Sequence, residues 1–370
     1  MGSKPRASST PAQSSRPQPP RFQARQPSSR SHYLRVVTRV LTVDPDAPDP
    51  AAIAEAAAVI RSGGLVVFPT ETVYGLGGNA LDATAVARIF AAKGRPAYNP
   101  LIVHVADVQA ACGVVLEWPD TAARLAAAFW PGPLTLVLLK QPAISSQATA
   151  GLPTVGVRVP AHAVARALLR AADRPIAAPS ANLSTAVSPT AADHVPDALL
   201  DRGDLLLDAG PATVGIESTV LDLTQPIPTI LRPGVVSATD LESIVGEVRT
   251  TVWHGAESGA RPSPGLLDRH YAPRAALVVI GASQMGREVN AWSAKGLIVA
   301  ILARTSNLGP QSAHVEHMPE DPSGYARILY ATLHALDRLG MGVILVERVP
   351  DGPEWDGVRD RLARAEHREP

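Results

Sequence analysis

The sequence is poor in cysteine, in aromatic residues and in net charge. Cys112 is its single cysteine, which excludes an intramolecular disulfide and any zinc site built on several thiolates. Lys plus Arg number 34 and Asp plus Glu number 34, so the chain lacks the overall cationic field of a dedicated nucleic-acid binder. Aromatic residues make up 4%, few for a protein that stacks bases. No apolar run can span a bilayer, and we expect a cytoplasmic protein without membrane contact.

The first 33 residues differ from the rest of the chain. They are rich in Pro, Ser, Gln and Arg and contain no acidic residue, and they show no apolar period. Such a segment cannot bury enough surface to offset chain entropy, which predicts a disordered basic tail over residues 1–33. The tail lacks the apolar core of a secretory signal. Whether this tail touches RNA directly stays open.

The remainder alternates short apolar strands with alanine-rich helices, which predicts an α/β fold. Asp82 is placed to cap a helix over 83–93, and Gly94 suits its left-handed end. The pattern predicts a catalytic domain over 34–247, a Gly/Pro/Ser/Arg-rich linker over 248–273 and a smaller Rossmann-like domain over 274–370. No GxGxxG or Walker P-loop occurs, so nucleotide binding would need another device.

Two polar segments lie before and at the end of the helix predicted over 83–93. The run PTETVYGLGG follows a buried strand, where α/β proteins bind ligands, although it also fits an ordinary glycine-rich turn. Lys93-Gly94-Arg95-Pro96 ends the next helix, where cations complement the helix dipole. The functional interpretation is a pair of cations that converge on a triphosphate, with Asn99 adding an amide contact.

Two strands carry polar side chains on one face. Alternation places Ile102 and His104 opposite Leu101, Val103 and Val105. A lone buried histidine is more often structural, and no second His or Cys stands at metal-ligand spacing, so we expect no zinc site.

The second strand, TVGVRV, places Thr154, Gly156 and Arg158 on one face. An arginine inside a strand must meet an anion, either a ligand or a structural ion-pair partner.

Further along, small and polar residues follow another strand in the run IAAPSAN, which contains Ala178, Ser180 and Asn182. Ser188 precedes a proline and also fits a helix N-cap. Ser218 and Arg232 lie in motifs that are weak individually.

The ordered set of motifs is more specific than any member. PTETVYGLG, KGRP with NPLIVH, WPGPLT, TVGVRVPAH, APSAN with SPT, GIESTV and LRPG together resemble the YrdC domain. With SPGxxxRHYAP and a second domain, the chain resembles the long form of the threonylcarbamoyl-AMP synthase family. The resemblance is strong over residues 34–273 and weaker beyond, where it rests on position and on the final DRLARA. It implies a twisted α/β sheet with a concave cleft, which the linker crosses.

The resemblance also implies roles for individual residues. The threonine pocket is expected to comprise Thr72, His104, Arg158, Ala178 and Ser218. The expected ATP contacts are Arg95, Asn99, Thr154, Ser180, Ser188 and Arg232. The expected catalytic cluster comprises Lys93, Arg95, Ser180 and Asn182.

The reaction implied is the formation of threonylcarbamoyl-AMP and pyrophosphate from L-threonine, bicarbonate or CO2, and ATP. Arg158 is expected to hold the threonine carboxylate, and Mg²⁺ is expected to accompany ATP without a metal site of protein ligands. The downstream partner is the machinery that transfers the threonylcarbamoyl group to a tRNA adenosine beside the anticodon. Asp268 stands where the family's linker usually carries a tyrosine, which puts the linker's contact with the nucleotide in doubt.

Two other functions remain as alternatives at this point. One is a YrdC-type enzyme that makes carbamoyl-AMP from carbamoyl phosphate, although its usual additional modules are not visible here. The other is an RNA-binding module, against which the neutral charge and few aromatics argue.

Overall fold

A computed structural model describes residues 1–2, 38–251, 263–264, 270–305 and 313–369. Nearly all of the predicted tail, most of the predicted linker and Asp268 lie outside the described residues. Contacts divide the chain into two units, Met1–Arg35 and Val36–Pro370, and both sheets described below belong to the second.

Residues 38–251, which we call the large-sheet part, carry eleven described strands in one sheet. These strands are β1 (Arg39–Thr42), β2 (Val66–Phe68), β3 (Gly75–Asn79), β4 (Ile102–His104), β5 (Leu134–Leu139), β6 (Thr154–Arg158), β7 (Ile176–Ala177), β8 (Leu205–Asp208), β9 (Thr219–Asp222), β10 (Thr229–Arg232) and β11 (Arg249–Thr250). Their order across the sheet is β1-β8-β2-β3-β7-β4-β6-β5-β9-β10-β11. The sheet is mixed: β4 and β6 run parallel, whereas β3 is antiparallel to both β2 and β7.

Helices cover this sheet on two sides. The helices of this part are α1 (Pro50–Arg61), α2 (Ala83–Lys93), α3 (Val108–Cys112), α4 (Asp120–Phe129), α5 (Ala163–Ala172), α6 (Asp197–Leu200) and α7 (Ala238–Val245). Along β2, Val66 and Phe68 pack into one core with α1 and α5, whereas Val67 packs into another core with α2. Both faces are therefore buried, which explains why β2 reads as an uninterrupted apolar run.

Residues 270–369, the small-sheet part, form a separate sheet of four strands, all parallel. The strands are β12 (Ala276–Ile280), β13 (Val299–Ala303), β14 (His314–His317) and β15 (Val343–Glu347), in the order β12-β15-β13-β14. Its helices are α8 (Met285–Ala294), α9 (Pro322–Arg338) and α10 (Asp356–Ala365). The predicted α/β class is confirmed in both parts of the described chain, whereas the domain boundaries stay a prediction.

Local sequence accounts for the helix that leads into the site. The Asp82 carboxylate accepts a bond from the Thr84 amide at 2.8 Å, and α2 ends at Gly94 with φ of 59°. Both capping predictions are confirmed. The end of α2 therefore delivers Lys93 and Arg95 at a fixed place beside the sheet.

The glycine-rich run is a strand rather than a turn. Residues Gly75–Asn79 form β3 between β2 and β7. A Cβ at Gly77 would lie 2.6 Å from the Phe68 ring and 2.7 Å from Ile176, so only glycine fits between these side chains. The turn interpretation is wrong because the glycines serve close packing within the sheet.

No helix in the described part of the chain has both the length and the apolar character needed to cross a membrane.

Candidate active site

A cavity lies among residues at or just beyond the ends of β2, β4, β6, β7 and β10. Eight of the predicted site residues line it: Thr72, Arg95, His104, Arg158, Ala178, Ser180, Ser218 and Arg232. Segments far apart in sequence therefore meet in one place, as a shared cleft requires.

Arg158 is held from three directions. Its Nη1 donates to the Thr72 hydroxyl at 3.0 Å and its Nε to the Gly132 carbonyl at 3.1 Å. Its Nη2 lies 2.6 Å from Glu71 Oε1, and the two side chains are 4% and 7% exposed. The ion-pair interpretation is thus confirmed, and the same arginine also lines the cavity. The two interpretations are compatible, because Glu71 lies behind the guanidinium and does not line the cavity.

His104 lies on the cavity side of β4, as the strand alternation predicts. Ile102 and His104 line the cavity, and Val103 belongs to the core on the opposite face. Burial, together with the nearby Arg158 charge, lowers the pKa of His104 to about 3. The imidazole is therefore neutral at pH 7 and does not compete with Arg158 for an anion.

Lys93 organises the cluster that the sequence predicts around it. Its Nζ donates to the Ser180 carbonyl at 2.5 Å, to the Asn182 carbonyl, and to Asn182 Oδ1 at 3.3 Å. The Ser180 hydroxyl donates to Asn182 Oδ1 at 2.5 Å. Burial and the neighbouring Arg95 charge hold the pKa of Lys93 well below its usual value. Lys93 and Asn182 stand behind Ser180, which itself faces the cavity.

Arg95 lines the cavity and is fixed by the loop that follows it. Its Nε donates to the Asn99 carbonyl at 3.0 Å and its Nη2 to the Pro100 carbonyl at 2.8 Å. Burial lowers the pKa of Arg95 to about 9, so it remains cationic at pH 7. The Asn99 side chain does not line the cavity, but its buried amide nitrogen and oxygen have no partner in the described residues. An unpaired buried amide is costly and favours a polar ligand at that position.

Ser218 and Arg232 form another wall of the cavity. Arg232 Nη2 donates to the Ser218 carbonyl at 2.8 Å and lies 3.2 Å from the Ser218 hydroxyl. Its Nη1 lies 3.4 Å from the Pro264 carbonyl. Pro264, His270 and Tyr271 also line the cavity, so residues of the predicted linker contribute to the site.

Besides Asn99, two predicted ATP residues lie outside the main cavity. Thr154 borders a neighbouring space that shares Pro100, Leu101, Ile102 and Pro264 with the main one. Ser188 is buried, and its hydroxyl donates to Glu217 Oε1 at 2.5 Å. The N-cap interpretation of Ser188 is wrong, because the hydroxyl serves this carboxylate instead of a helix end.

Sequence reasoning missed the two carboxylates behind and beside these residues. Glu71 pairs with Arg158, and Glu217 lines the cavity while it pairs with Arg361 at 2.8 Å. Both glutamates belong to motifs that the sequence analysis noted, but only other residues of those motifs were given a role. Their setting offered a signal, because a carboxylate in an otherwise apolar segment needs a cation elsewhere in the chain.

The acidic residues of the described chain provide no ready-made metal site. No group of three or more His, Cys, Asp or Glu is placed there to hold a metal ion. Glu217 is the described acid that lines the cavity, and its oxygens already accept bonds from Ser188, Tyr330 and Arg361.

Family comparisons extend over most of the chain. A family model described as "Telomere recombination" matches residues 58–234, and the model of the threonylcarbamoyl-AMP synthase C-terminal domain matches residues 236–366. The threonylcarbamoyl-AMP synthase of Pyrococcus abyssi is 42% identical over 317 residues, which are 84% of this chain and 92% of that protein. The Bacillus subtilis threonylcarbamoyl-AMP synthase is 38% identical over 339 residues, covering 90% of this chain and 96% of that protein.

A solved structure shares the arrangement of the chain. The crystal structure of P. abyssi Sua5 complexed with L-threonine superposes with a TM-score of 0.83 at 40% identity. The match covers 89% of this chain and 97% of the other, so it includes both sheets.

Proposed function

The chain belongs to the threonylcarbamoyl-AMP synthase family, and from this premise we propose how its cleft performs the reaction. The enzyme is an L-threonylcarbamoyladenylate synthase, a nucleotidyltransferase of tRNA processing. Its substrates in this proposal are L-threonine, bicarbonate or CO2, and ATP. The observation that carries the proposal is the convergence in one buried cavity of Arg158 and Thr72 with Arg95, Ser180 and Arg232.

The proposed chemistry has two bond-forming steps. The neutral amine of threonine attacks the carbon of CO2, and a carbamate forms with loss of a proton; where bicarbonate is the source, the same carbamate forms with loss of water instead. A carbamate oxygen then attacks the α-phosphorus of ATP, the bond to the β-phosphate oxygen breaks, and pyrophosphate leaves. Neither step needs a protein nucleophile, so the protein supplies position and charge.

We assign the threonine carboxylate to Arg158, beside the hydroxyl of Thr72. A guanidinium can bind a carboxylate through two parallel hydrogen bonds, which fixes the direction of the amine. The neutral His104, Ala178 and Ser218 complete this pocket in the proposal. The small side chain at Ala178 leaves room for substrate.

We assign the phosphates to the cations Arg95 and Arg232, which line the cavity, and Lys93 supports this side from behind by holding Ser180 and Asn182 in place. A cation about 4 Å from a phosphate gains on the order of 4 kcal/mol at an effective dielectric of 20. Ser180, Asn182, Asn99, Thr154 and Ser188 complete the ATP site as predicted. Mg²⁺ enters bound to ATP, because the cavity's acid is already paired, and it neutralises phosphate charge.

The larger context is proposed on the same basis. Residues 34–247 act as the catalytic domain, 248–273 as a linker over the cleft and 274–370 as a C-terminal domain. The product passes to the machinery that modifies a tRNA adenosine next to the anticodon, in the cytoplasm.

The test measures pyrophosphate release from ATP and bicarbonate in the presence of Mg²⁺, with and without threonine. We expect release that depends on threonine and that serine or carbamoyl phosphate does not support. Release with carbamoyl phosphate alone would move the protein to the carbamoyl-AMP alternative. Absence of release with either substrate would contradict the proposed activity.

A further inference from the structure

Arg361 is a fully buried arginine that the proposed chemistry does not use. It lies on α10 of the small-sheet part, in the DRLARA motif, and is 1% exposed. Its Nε donates to Glu217 Oε2 at 2.8 Å and its Nη2 to the Glu217 carbonyl at 3.1 Å. Its Nη1 donates to the Pro233 carbonyl at 2.8 Å and to Asp360 at 2.7 Å. All three guanidinium nitrogens are thus directed at acceptors, and three of the four acceptor atoms belong to the large-sheet part.

The carboxylate that Arg361 binds faces the cavity. Glu217 also accepts bonds from the Ser188 hydroxyl at 2.5 Å and from the Tyr330 hydroxyl at 3.0 Å. Burial opposes its ionisation, but the charges of Arg361 and Arg232 hold the pKa of Glu217 at about 2. The cavity therefore contains a carboxylate that is charged at pH 7, beside residues assigned to phosphates. Such a charge repels a triphosphate unless an opposite charge compensates for it.

Arg361 and Arg232 bind the same two chain segments. Arg232 donates to the Ser218 carbonyl, while Arg361 donates to the carbonyls of Glu217 and Pro233. The two arginines therefore fix the segment 217–218 and the segment 232–233 relative to each other. The position of the Arg232 guanidinium depends on that relation.

Arg361 also supports the linker residues that line the cavity. Its Cζ lies 5.1 Å from the centre of the Tyr271 ring, and that ring stacks on Tyr330 at 5.8 Å. The amide of His270 donates to the Arg364 carbonyl on the same helix at 2.9 Å. Both His270 and Tyr271 face the cavity.

We propose that Arg361 is a positioning residue for the ATP side of the cleft, through which the small-sheet part neutralises Glu217 and fixes Arg232 and Tyr271. The inference rests on the proposed function, because it takes ATP as the ligand of this side. In this proposal the small-sheet part shapes the ATP side of the cleft through Arg361, although Arg361 itself does not touch substrate.

The first test replaces the charge while keeping the length of the side chain. In Arg361→Met, Glu217 is left facing Arg232 alone, and we expect the KM for ATP to rise about ten-fold or more. The KM for threonine should rise clearly less than that for ATP, because Arg158 and Thr72 have no bond to α10 and only Ser218 of the threonine pocket lies on a segment that Arg361 holds. Arg359→Met is the matched control: this arginine of the same helix donates to Pro350, Gly352 and Asp356 and should leave both KM values unchanged.

The second test separates charge from packing. Adding Glu217→Gln to Arg361→Met removes the uncompensated carboxylate, and we expect the KM for ATP to return to within about three-fold of the original. Tyr330→Phe deletes one neutral donor to Glu217 and should raise the KM for ATP only about three-fold. If Arg361→Met does not fold, the double variant takes its place, since it lacks the unpaired buried charge.

Measuring ATP binding directly tests this inference independently of the proposed activity. Calorimetry with ATP and Mg²⁺ should show weaker binding by Arg361→Met and recovery in the double variant, whether or not pyrophosphate is released. Unchanged ATP binding in Arg361→Met, equal losses for ATP and threonine, or a double variant no better than the single one would each overturn the inference. A parent chain that binds ATP but releases no pyrophosphate contradicts the proposed function only.

Discussion

Two buried arginine–glutamate pairs border the cleft, and they are arranged in opposite senses. In the first pair Arg158 lines the cavity and Glu71 stands behind it, whereas in the second Glu217 lines the cavity and Arg361 stands behind it. The first pair lies wholly within the large-sheet part. The second joins the large-sheet part to α10 of the small-sheet part. The Arg158–Glu71 pair therefore presents a cation to the cavity. The Glu217–Arg361 pair presents a carboxylate whose charge an arginine compensates from behind.

The difference shows what each buried charge is suited to do. Burial of an ion pair costs about as much as the pair returns, so such pairs are weak evidence of stability alone. Glu71 orients Arg158 for an anion that arrives from the cavity. Arg361 instead compensates a charge that would otherwise repel one. The two pairs should therefore respond differently to substitutions.

The largest effect is expected at Lys93, a buried side chain that, like Arg95 and Arg232, has no carboxylate within ion-pairing distance among the described residues. Lys93→Met removes the donors that hold the Ser180 and Asn182 carbonyls and the Asn182 side chain in place. We expect kcat to fall about 10²- to 10³-fold, the scale seen when one such stabilising group is lost. Single-turnover pyrophosphate release at saturating ATP measures this. A fall of less than about three-fold would show that Lys93 is only structural.

A slightly smaller effect is expected from Arg158→Lys. The ammonium keeps the charge near Glu71 but cannot donate to Thr72, Gly132 and a carboxylate together. We expect kcat/KM for threonine to fall about 10²-fold while ATP binding by calorimetry stays within about two-fold. Arg158→Ala is a poorer probe, because it would leave Glu71 buried and unpaired at a cost of about 3–5 kcal/mol. Equal losses of kcat/KM for threonine and of ATP binding would contradict separate threonine and ATP sides of the cleft.

Glu71→Gln tests the Arg158–Glu71 pair by changing the residue that does not line the cavity. Arg158 keeps its bonds to Thr72 and Gly132 but loses the charge that orients its Nη2. We expect the KM for threonine to rise about ten-fold with little change for ATP, the reverse of the result expected for Arg361→Met. Steady-state kinetics on both variants make the comparison. A rise in the KM for ATP instead would contradict the separate roles of the two pairs.

The last prediction concerns the free energy of unfolding and its dependence on pH rather than substrate turnover. Burial, with the nearby Arg158 charge, lowers the pKa of His104 to about 3, and burial lowers the pKa of His270 to about 3 despite the opposing influence of Glu217. Below about pH 6.5 the unfolded chain binds protons at these positions that the folded chain does not, so the free energy of unfolding falls as pH drops. We expect a loss of up to about 1.4 kcal/mol per pH unit for each histidine between pH 6.5 and 4.5.

Urea unfolding across that interval measures the slope. His270→Asn removes one of the two groups, so its unfolding free energy should depend less steeply on pH than that of the parent chain. Equal slopes would show that His270 is protonated in the folded state.

Patterns of single segments predicted the fold well. The helix 83–93 has its predicted bounds and caps, and β4 turns its predicted face to the cavity. The predicted face of β6 is divided: Arg158 lines the cavity, whereas Thr154 and Gly156 line the neighbouring space. The strand Gly75–Asn79 was missed because Gly77 is required by its close contacts with Phe68 and Ile176 on neighbouring strands. The pattern of residues along β3 alone does not reveal those contacts. The strand order of the large sheet was likewise beyond prediction, because it depends on pairings between distant segments.

The same distinction holds for the site. His104 and Arg158 could be placed because strand alternation directs each to one face, whereas Thr72 lies between β2 and β3 and was identified only through the resemblance of its motif. Glu71 and Glu217 could not, because an acid's role depends on the cation that it meets, and that cation lies elsewhere in the chain. Thr154 and Ser188 were predicted from motif position, and the structure places them beside the main cavity rather than in it.

The bond between Glu217 and Arg361 spans 144 residues and joins the large-sheet part to α10 of the small-sheet part. If the two parts separated while each stayed folded, one would keep a carboxylate and the other an arginine without its partner. Breaking a buried pair in this way costs about 3–5 kcal/mol. The pair therefore couples the stability of the two sheets, and we expect them to unfold in one cooperative transition rather than one after the other.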